Sequence, residues 1–408
     1  MPHPAPADGS LPQLKVAIVG AGIAGLTSAL AMAARGIAVD VLERAESLDA
    51  VGAGIQLSPN ATRILQALGL TDTLRAFWFE PDEIRLADGR SLQTLATVPS
   101  GAFARRRWGA PYAVISRADL QRTLADAVRA HPLCRLHLGV SLGDHTPAAI
   151  ARHTGEMPDL IVGADGVRSK VRDSISGPLS SHPATARFSG NVAWRLTLPP
   201  RRPVPPPFDP TVVTAYLGRN AHLVAYPMGN DGGLNLVAIG SGRASAESEA
   251  GKAVTRAAVA DLFAGWSPAL LAALESADPL GAWPLYEVSD GPWHDGTRVL
   301  IGDAAHAMMP FAAQGAAMAI EDAAALAEAL ANALTHRIDI RSALDSFVES
   351  RKPRIEKVRA RGAFNRFAYH ASGPVRVGRN FVLSLRTPER LAEDFDWLYG
   401  HRLPGLLS

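Results

Sequence analysis

The spacing of apolar and polar positions changes several times along this chain, and each change predicts an element. Val16 to Val19 is an unbroken apolar, β-prone run, as expected of a buried parallel strand. Gly20, Gly22 and Gly25 follow it, and Leu26 to Arg35 is an Ala- and Leu-rich helix that Gly36 ends. Ala38-Val-Asp-Val-Leu42 is a second strand, closing in Glu43-Arg44. Val16 to Ala34 carries no charged side chain over a length that could cross a bilayer. Three glycines in its first half, and the strand-turn-helix fit, argue against a membrane span.

Further along, Pro59 to Gly69 reads as a helix with a glycine stop, and Ile84-Arg-Leu-Ala-Asp-Gly-Arg as a hairpin with an Asp-Gly turn. Ser116 is the expected N-cap of an amphipathic helix. Arg135 to Leu142 and Asp159 to Gly163 are strands. After Gly177 the texture shifts to short strand-like runs at Gly190–Leu198, Thr211–Leu217, His222–Tyr226 and Leu234–Gly240. A proline-rich link, Leu198 to Pro207, reads as an extended surface loop among them. Arg298 to Asp303 returns to the parallel-strand pattern, and Ala312–His336 and Ile340–Tyr369 are helical. The expected division is a disordered tail over 1–13, without the apolar core of a signal peptide. A discontinuous nucleotide-binding domain follows over 14–75, 105–180 and 290–335. A largely antiparallel unit is inserted as 76–104 and 181–289, and a helical region covers 336–408.

Composition adds exclusions. A formal net charge of +2 argues against nucleic acid or membrane as a main partner. The one cysteine, Cys134, reads as a buried structural thiol, and lack of disulfides fits a cytoplasmic protein. The twelve histidines are scattered, with no Cys/His cluster at metal spacing, so no metal is expected. The run Arg105-Arg-Arg107 reads as a solvated face, with a role in docking a phosphorylated nicotinamide cofactor as the alternative.

The glycines carry the first chemistry. Gly20 permits a tight turn, Gly22 lets backbone approach a pyrophosphate, and Gly25 lets the helix lie against the strand. Ala24 lies within the same turn. The helix N-terminus faces the phosphates, and Glu43 accepts from ribose hydroxyls, with Arg44 beside it. Two later segments extend the set: Gly163-Ala-Asp-Gly-Val-Arg-Ser-Lys-Val-Arg172 and Gly302-Asp-Ala-Ala-His306.

With these three segments the chain resembles the single-component FAD-dependent aromatic hydroxylases, the family of p-hydroxybenzoate and salicylate hydroxylases. The resemblance runs from Val16 to about Tyr369. The form Ala313-Gln-Gly-Ala316, with Glu321-Asp322 after it, is most similar to 3-hydroxybenzoate 6-hydroxylases and 6-hydroxynicotinate 3-monooxygenases. It implies an α/β fold: a Rossmann-like FAD domain, an inserted antiparallel substrate domain and C-terminal helices. It implies that Asp165 and Gly166 serve the pyrophosphate region and the passing nicotinamide. Gly302 and Asp303 hold the ribityl chain, and the helix starting near Gln314, Gly315 and Ala316 points at the flavin ring. Arg117 contacts FAD. Gly54 and Gln56 lie in a loop near flavin and substrate, and Val140 is a further cofactor position. His222 and Tyr226 resemble a His-x-x-x-Tyr pair that faces substrate. Four residues apart on a strand they share a face, and His222 is the candidate base. Arg195, Pro310 and Phe311 complete the substrate pocket. Two positions depart from the pattern: some relatives have His or Tyr at Phe311, and nicotinate-type relatives have His at Gln56.

The implied activity is hydroxylation of a small aromatic, hydroxybenzoate-like or N-heterocyclic, with NAD(P)H and O2 through a flavin C4a-hydroperoxide. FAD is bound non-covalently, and the protein is a monomer or homodimer. A flavin oxidase or dehydrogenase on the same scaffold, and a non-catalytic FAD-binding redox protein, remain open, because fold does not fix chemistry.

Overall fold

The computed structural model describes residues 14–48, 54–176, 183–199, 204–229, 233–243 and 256–405. The expected N-terminal tail, Gly52, Ala53 and part of the proline-rich link lie outside them. Val16–Val19 is the central strand of a five-stranded sheet. The order is Arg298–Leu300, Leu160–Gly163, Val16–Val19, Val39–Leu42, Cys134–His137. All neighbours are parallel. Three of the strands are buried at every position, hence the unbroken apolar runs of Val16–Val19 and Leu160–Gly163; in the third, Asp40 is paired with Arg135 and His137. The span that could have crossed a bilayer divides into strand, glycine turn and the Ile23–Ala33 helix. Among the described residues no helix is long and apolar enough to cross a membrane. Cys134 is buried beside the Ala29 carbonyl at 3.7 Å, and burial pushes its thiol up to about 11.

A second sheet has seven strands in the order Asp278–Val288, Ala186–Leu198, Gly233–Ser241, Ala221–Met228, Val213–Gly218, Glu83–Asp88, Thr94–Pro99. Its pairs are antiparallel, except Val213–Gly218 beside Glu83–Asp88. The expected Asp-Gly hairpin is therefore part of this sheet. One face, with Leu223, Ala225, Leu236 and Ala238, packs on Phe263, Trp266 and Leu270. Trp266 fits because Gly89 and Gly218 lack side chains: a Cβ at either would lie 2.3 Å from its indole.

Several expectations change. The strand foreseen over 135–142 is Cys134–His137; Gly139, at φ +70, turns the chain so that Val140 donates its N–H to the Glu43 carbonyl at 2.8 Å. Asp278–Val288 is a strand that no period-two pattern announces. Pro279, Gly281 and Pro284 interrupt it, and it is tolerated because it is a sheet edge with two register shifts. The three arginines at 105–107 lie on the helix Gly101–Trp108 and are exposed, but two are paired: Arg105 with Glu80, and Arg107 with Asp396 at 2.6 Å.

The long helices Gly315–His336 and Ile340–Tyr369 are joined by a buried ionic cluster. Glu321 and Asp322 are both fully buried. Arg351 reaches Glu321 at 2.7 Å and Asp322 at 2.8 Å, and Arg354 grips Glu321 twice at 2.6 Å. Glu321 also accepts from Asn60 Nδ2 at 2.7 Å, and Asp322 from the Gly302 N–H at 2.9 Å and from His306. Burial alone would raise the Glu321 carboxyl, but Arg351 and Arg354 outweigh it and bring it down to about 2. Asp322 is likewise held well below the carboxylate range, burial being outweighed by His306 and Arg351.

Arg351→Leu should cost about 3–5 kcal/mol, because two buried carboxylates lose their shared counter-charge; urea unfolding measures it. Both carboxyls have depressed folded values. Their contribution is therefore complete above the ordinary value, 4.5 for Glu321, and is lost as pH falls toward about 2. The wild-type urea midpoint should drop over that window, and less steeply in the Arg351→Leu variant.

Candidate functional site

The carboxyl ends of the parallel strands open on a cavity of about 660 Å³ that reaches across to the seven-stranded sheet. Its nucleotide-like end is made by close backbone packing. Gly20, at φ +105, passes so near Ala164 that a Cβ would lie 2.5 Å from its carbonyl oxygen. A Cβ on Gly25 would lie 1.9 Å from the Gly20 oxygen, so Gly25 supports the turn from behind and does not line the cavity. Gly22 has nothing within 4 Å of its missing Cβ and caps the Ile23–Ala33 helix, whose N-terminal amides face the opening beside Ala24. Glu43 accepts from the Ala21 N–H at 2.8 Å and the Ala45 N–H at 3.0 Å, and lines the cavity with Arg44 and Val140.

On the neighbouring strand end, Asp165 Oδ2 accepts from the amides of Lys170 and Val171 at 2.7 and 3.2 Å, while Oδ1 is buried without a partner among the described residues. Gly166 lies beside it. Arg44, Arg117, Arg168 and Lys170 are cationic residues lining the same cavity. A diphosphate would supply the missing charge, since backbone amides, a helix N-terminus and cations converge where no side chain fills the space. Asp303 is exposed and lines the same cavity, after the strand next to that of Asp165. Gly302, at φ +58, lies behind it and is held by Asp322.

Gly315 and Ala316 begin the long helix at the cavity wall, after Ala313 at φ +51. Gln314 departs from expectation. Its side chain is buried and bonded to Ser58 Oγ at 3.0 Å, and it is not part of the lining. It fixes the helix start to the Pro59–Ala67 helix instead.

The other end of the cavity is the second face of the antiparallel sheet. His222, Val224 and Tyr226 alternate along one strand, Val237 and Ile239 along the next, and Arg195 stands opposite Val237. Gln56 is held by the Tyr112 hydroxyl at 2.6 Å, and Pro310 lines the cavity. Gly54 bonds Asn235 at 3.0 Å and leaves room for Tyr226, whose ring would lie 2.5 Å from a Cβ there. Phe311 is not in the lining. It packs behind the wall, its ring 5.0 Å from that of His222.

Burial pushes the His222 imidazole down to about 3, with His370 adding to the effect, so it is neutral. Burial pushes the Tyr226 phenol well up, so it keeps its proton. Arg195 stacks on Trp283 at 5.1 Å, and among the described residues its Nε has no partner and no carboxylate pairs with it. The cavity also takes in Arg168, Lys170, Val224, Val237, Ile239 and Met308, which sequence reasoning left without a role. Val224 was legible, lying between His222 and Tyr226 in the alternation.

A model of the FAD binding domain matches residues 13–361. The chain belongs to that family. It is 34% identical over 393 residues to 3-hydroxybenzoate 6-hydroxylase 1 of Aquipseudomonas alcaligenes, covering 94% of this chain and 97% of that protein. It is 34% identical to a 3-amino-4-hydroxybenzoate 2-monooxygenase of Streptomyces platensis, covering 95% and 96%. A salicylate hydroxylase solved with its substrate has the same fold, with TM-score 0.78 at 23% identity over 97% of each chain. The chain is thus a flavoprotein monooxygenase with the p-hydroxybenzoate hydroxylase-like fold, and the cradle described above fits FAD.

Asp303→Ala should weaken FAD binding roughly 10–100-fold, the scale of a lost charged hydrogen bond. Titrating apoprotein with FAD by fluorescence checks this; unchanged affinity would remove Asp303 from the site. Glu43→Ala should weaken it by a comparable factor, because Glu43 also holds the Ala21 amide that shapes the turn.

Proposed function

We propose that this enzyme hydroxylates a small aromatic acid bearing a ring hydroxyl, of the hydroxybenzoate or hydroxylated N-heterocycle type, with NAD(P)H and O2. The observation that carries the substrate class is Arg195. It is a largely buried guanidinium with no carboxylate partner among the described residues, on the same sheet face as His222 and Tyr226. A buried cation without a counter-charge is costly, and a substrate carboxylate would supply one. Tyr226 stands near Arg195 with its proton retained, and would donate to the same ligand. Val224, Val237 and Ile239 give the ring an apolar bed.

FAD, when bound, supplies hydride acceptance from NAD(P)H and activation of O2. The chain's residues hold and orient the ring, exclude water and manage one proton. Neutral His222 would accept the proton of the ring hydroxyl, which makes the ring a better nucleophile. His222 and Tyr226 therefore carry the catalytic roles in this reading. Gln56 and Pro310 border the ring, and Phe311 backs His222. The single buried cysteine fits a reducing cytoplasm. The proposed assembly is a monomer or homodimer, with neither nucleic acid nor membrane as partner.

A panel of hydroxylated aromatic acids should stimulate NAD(P)H oxidation and yield hydroxylated product; no stimulation by any member would defeat the reading. Arg195→Met should raise KM for the responsive acid roughly 10–100-fold, far more than for its decarboxylated analogue. His222→Ala should slow hydroxylation about 10²–10⁴-fold while NAD(P)H oxidation continues with release of hydrogen peroxide. Wild-type coupling in that variant would show that His222 only packs a strand face.

A further inference from the structure

A second cavity of about 600 Å³ lies against the C-terminal half of the Ile340–Tyr369 helix, lined in part by Met309, Phe311, Gly362, Arg366 and His370. Met308 borders both cavities. Between them stands a wall in which two imidazoles meet. His222, which lines the first cavity, places Nδ1 3.1 Å from Nε2 of His370, which lines the second. Phe311 packs on both rings, at 5.0 Å and 5.4 Å, and the Tyr369 ring lies 5.4 Å from His222. His222 is 1% exposed, whereas His370 is only partly buried. Neither His222 Nε2 nor His370 Nδ1 has a hydrogen-bond partner among the described residues.

We propose that His370 is a positioning residue through which the proton taken by His222 from the substrate's ring hydroxyl leaves for water in the second cavity. The proposal rests on the reading of His222 as proton acceptor. The starting tautomers carry protons on Nδ1 of both rings. The hydroxyl proton moves to His222 Nε2. The His222 Nδ1 proton then passes along the 3.1 Å hydrogen bond to His370 Nε2, and His370 releases its Nδ1 proton to water. One proton enters, one leaves, and both rings end neutral. The reverse sequence returns a proton to the product oxygen and restores the starting tautomers.

The surroundings suit transfer rather than storage. Burial lowers His222 to about 3 and His370 to about 4, the latter helped by Arg366, so neither ring keeps an added proton at neutral pH. A neutral pair can pass a proton by exchanging tautomers without creating a buried charge. Without such a route, a proton taken up by His222 would stay in an apolar wall as an imidazolium.

The test uses FAD-loaded enzyme and a panel headed by 3-hydroxybenzoate, comparing His222→Ala, His370→Ala and His370→Gln. His370→Ala should lower the hydroxylation rate roughly tenfold or more, leave KM and the rate of flavin reduction unchanged, and recover with added imidazole entering from the second cavity. His370→Gln keeps a hydrogen bond to His222 but cannot exchange tautomers, so it should be as slow as His370→Ala. Full activity in His370→Gln would mean that His370 only holds His222 in place, and absence of imidazole rescue would likewise overturn the relay. If His222→Ala uncouples hydroxylation while His370→Ala does not slow it, the relay fails and the base assignment stands. If His222→Ala is fully coupled, both fall.

Discussion

Two adjacent carboxylates, Glu321 and Asp322, are fully buried and survive there only because Arg351 and Arg354 meet them. Two parts of the cofactor cradle are tied to this cluster. Asp322 holds the Gly302 amide and His306, which sets the strand end that presents Asp303. Glu321 holds Asn60, and through Asn60, Ser58 and Gln314 the start of the Gly315–His336 helix is aimed at the cavity. An ionic cluster of this kind is a poor source of net stability, since desolvation offsets much of the attraction. Its value here is directional: four segments distant in sequence are given one relative placement.

The glycine cradle was legible because its requirements are local. A turn that needs positive φ, a helix that lies on a strand, and a carboxylate at a strand end leave marks within thirty residues of each other. The pairing of His222 with Tyr226 was legible for the same reason, through the two-residue repeat of a strand. What escaped depended on contacts across the chain. His370 lies 148 residues from the histidine it touches. Arg351 sits in Ser350-Arg-Lys-Pro-Arg354, which reads as an ordinary solvated stretch until the neighbouring helix is laid against it. Gln314 belongs to a motif associated with flavin, yet its amide is spent on Ser58, and nothing in local spacing says which way a side chain at a helix cap will turn.

The same contrast applies to the edge of the antiparallel sheet. Pro279, Gly281 and Pro284 would disqualify a central strand, and only knowledge of its position makes Asp278–Val288 acceptable. Propensity speaks about a residue's own backbone, whereas edge or centre is decided by the partners available.

The cavity is shared between two sheets with different duties. Gly20, Glu43, Asp165 and Asp303 follow parallel strands, while His222, Val224, Tyr226, Val237, Ile239 and Arg195 project from antiparallel ones. The outward positions of the second sheet are separated from its packed face by simple alternation. A lineage can therefore exchange Val224, only partly buried on the cavity side, for a larger or more polar neighbour and admit a different ring, while Leu223, Ala225, Leu236 and Ala238 on the other face stay as they are.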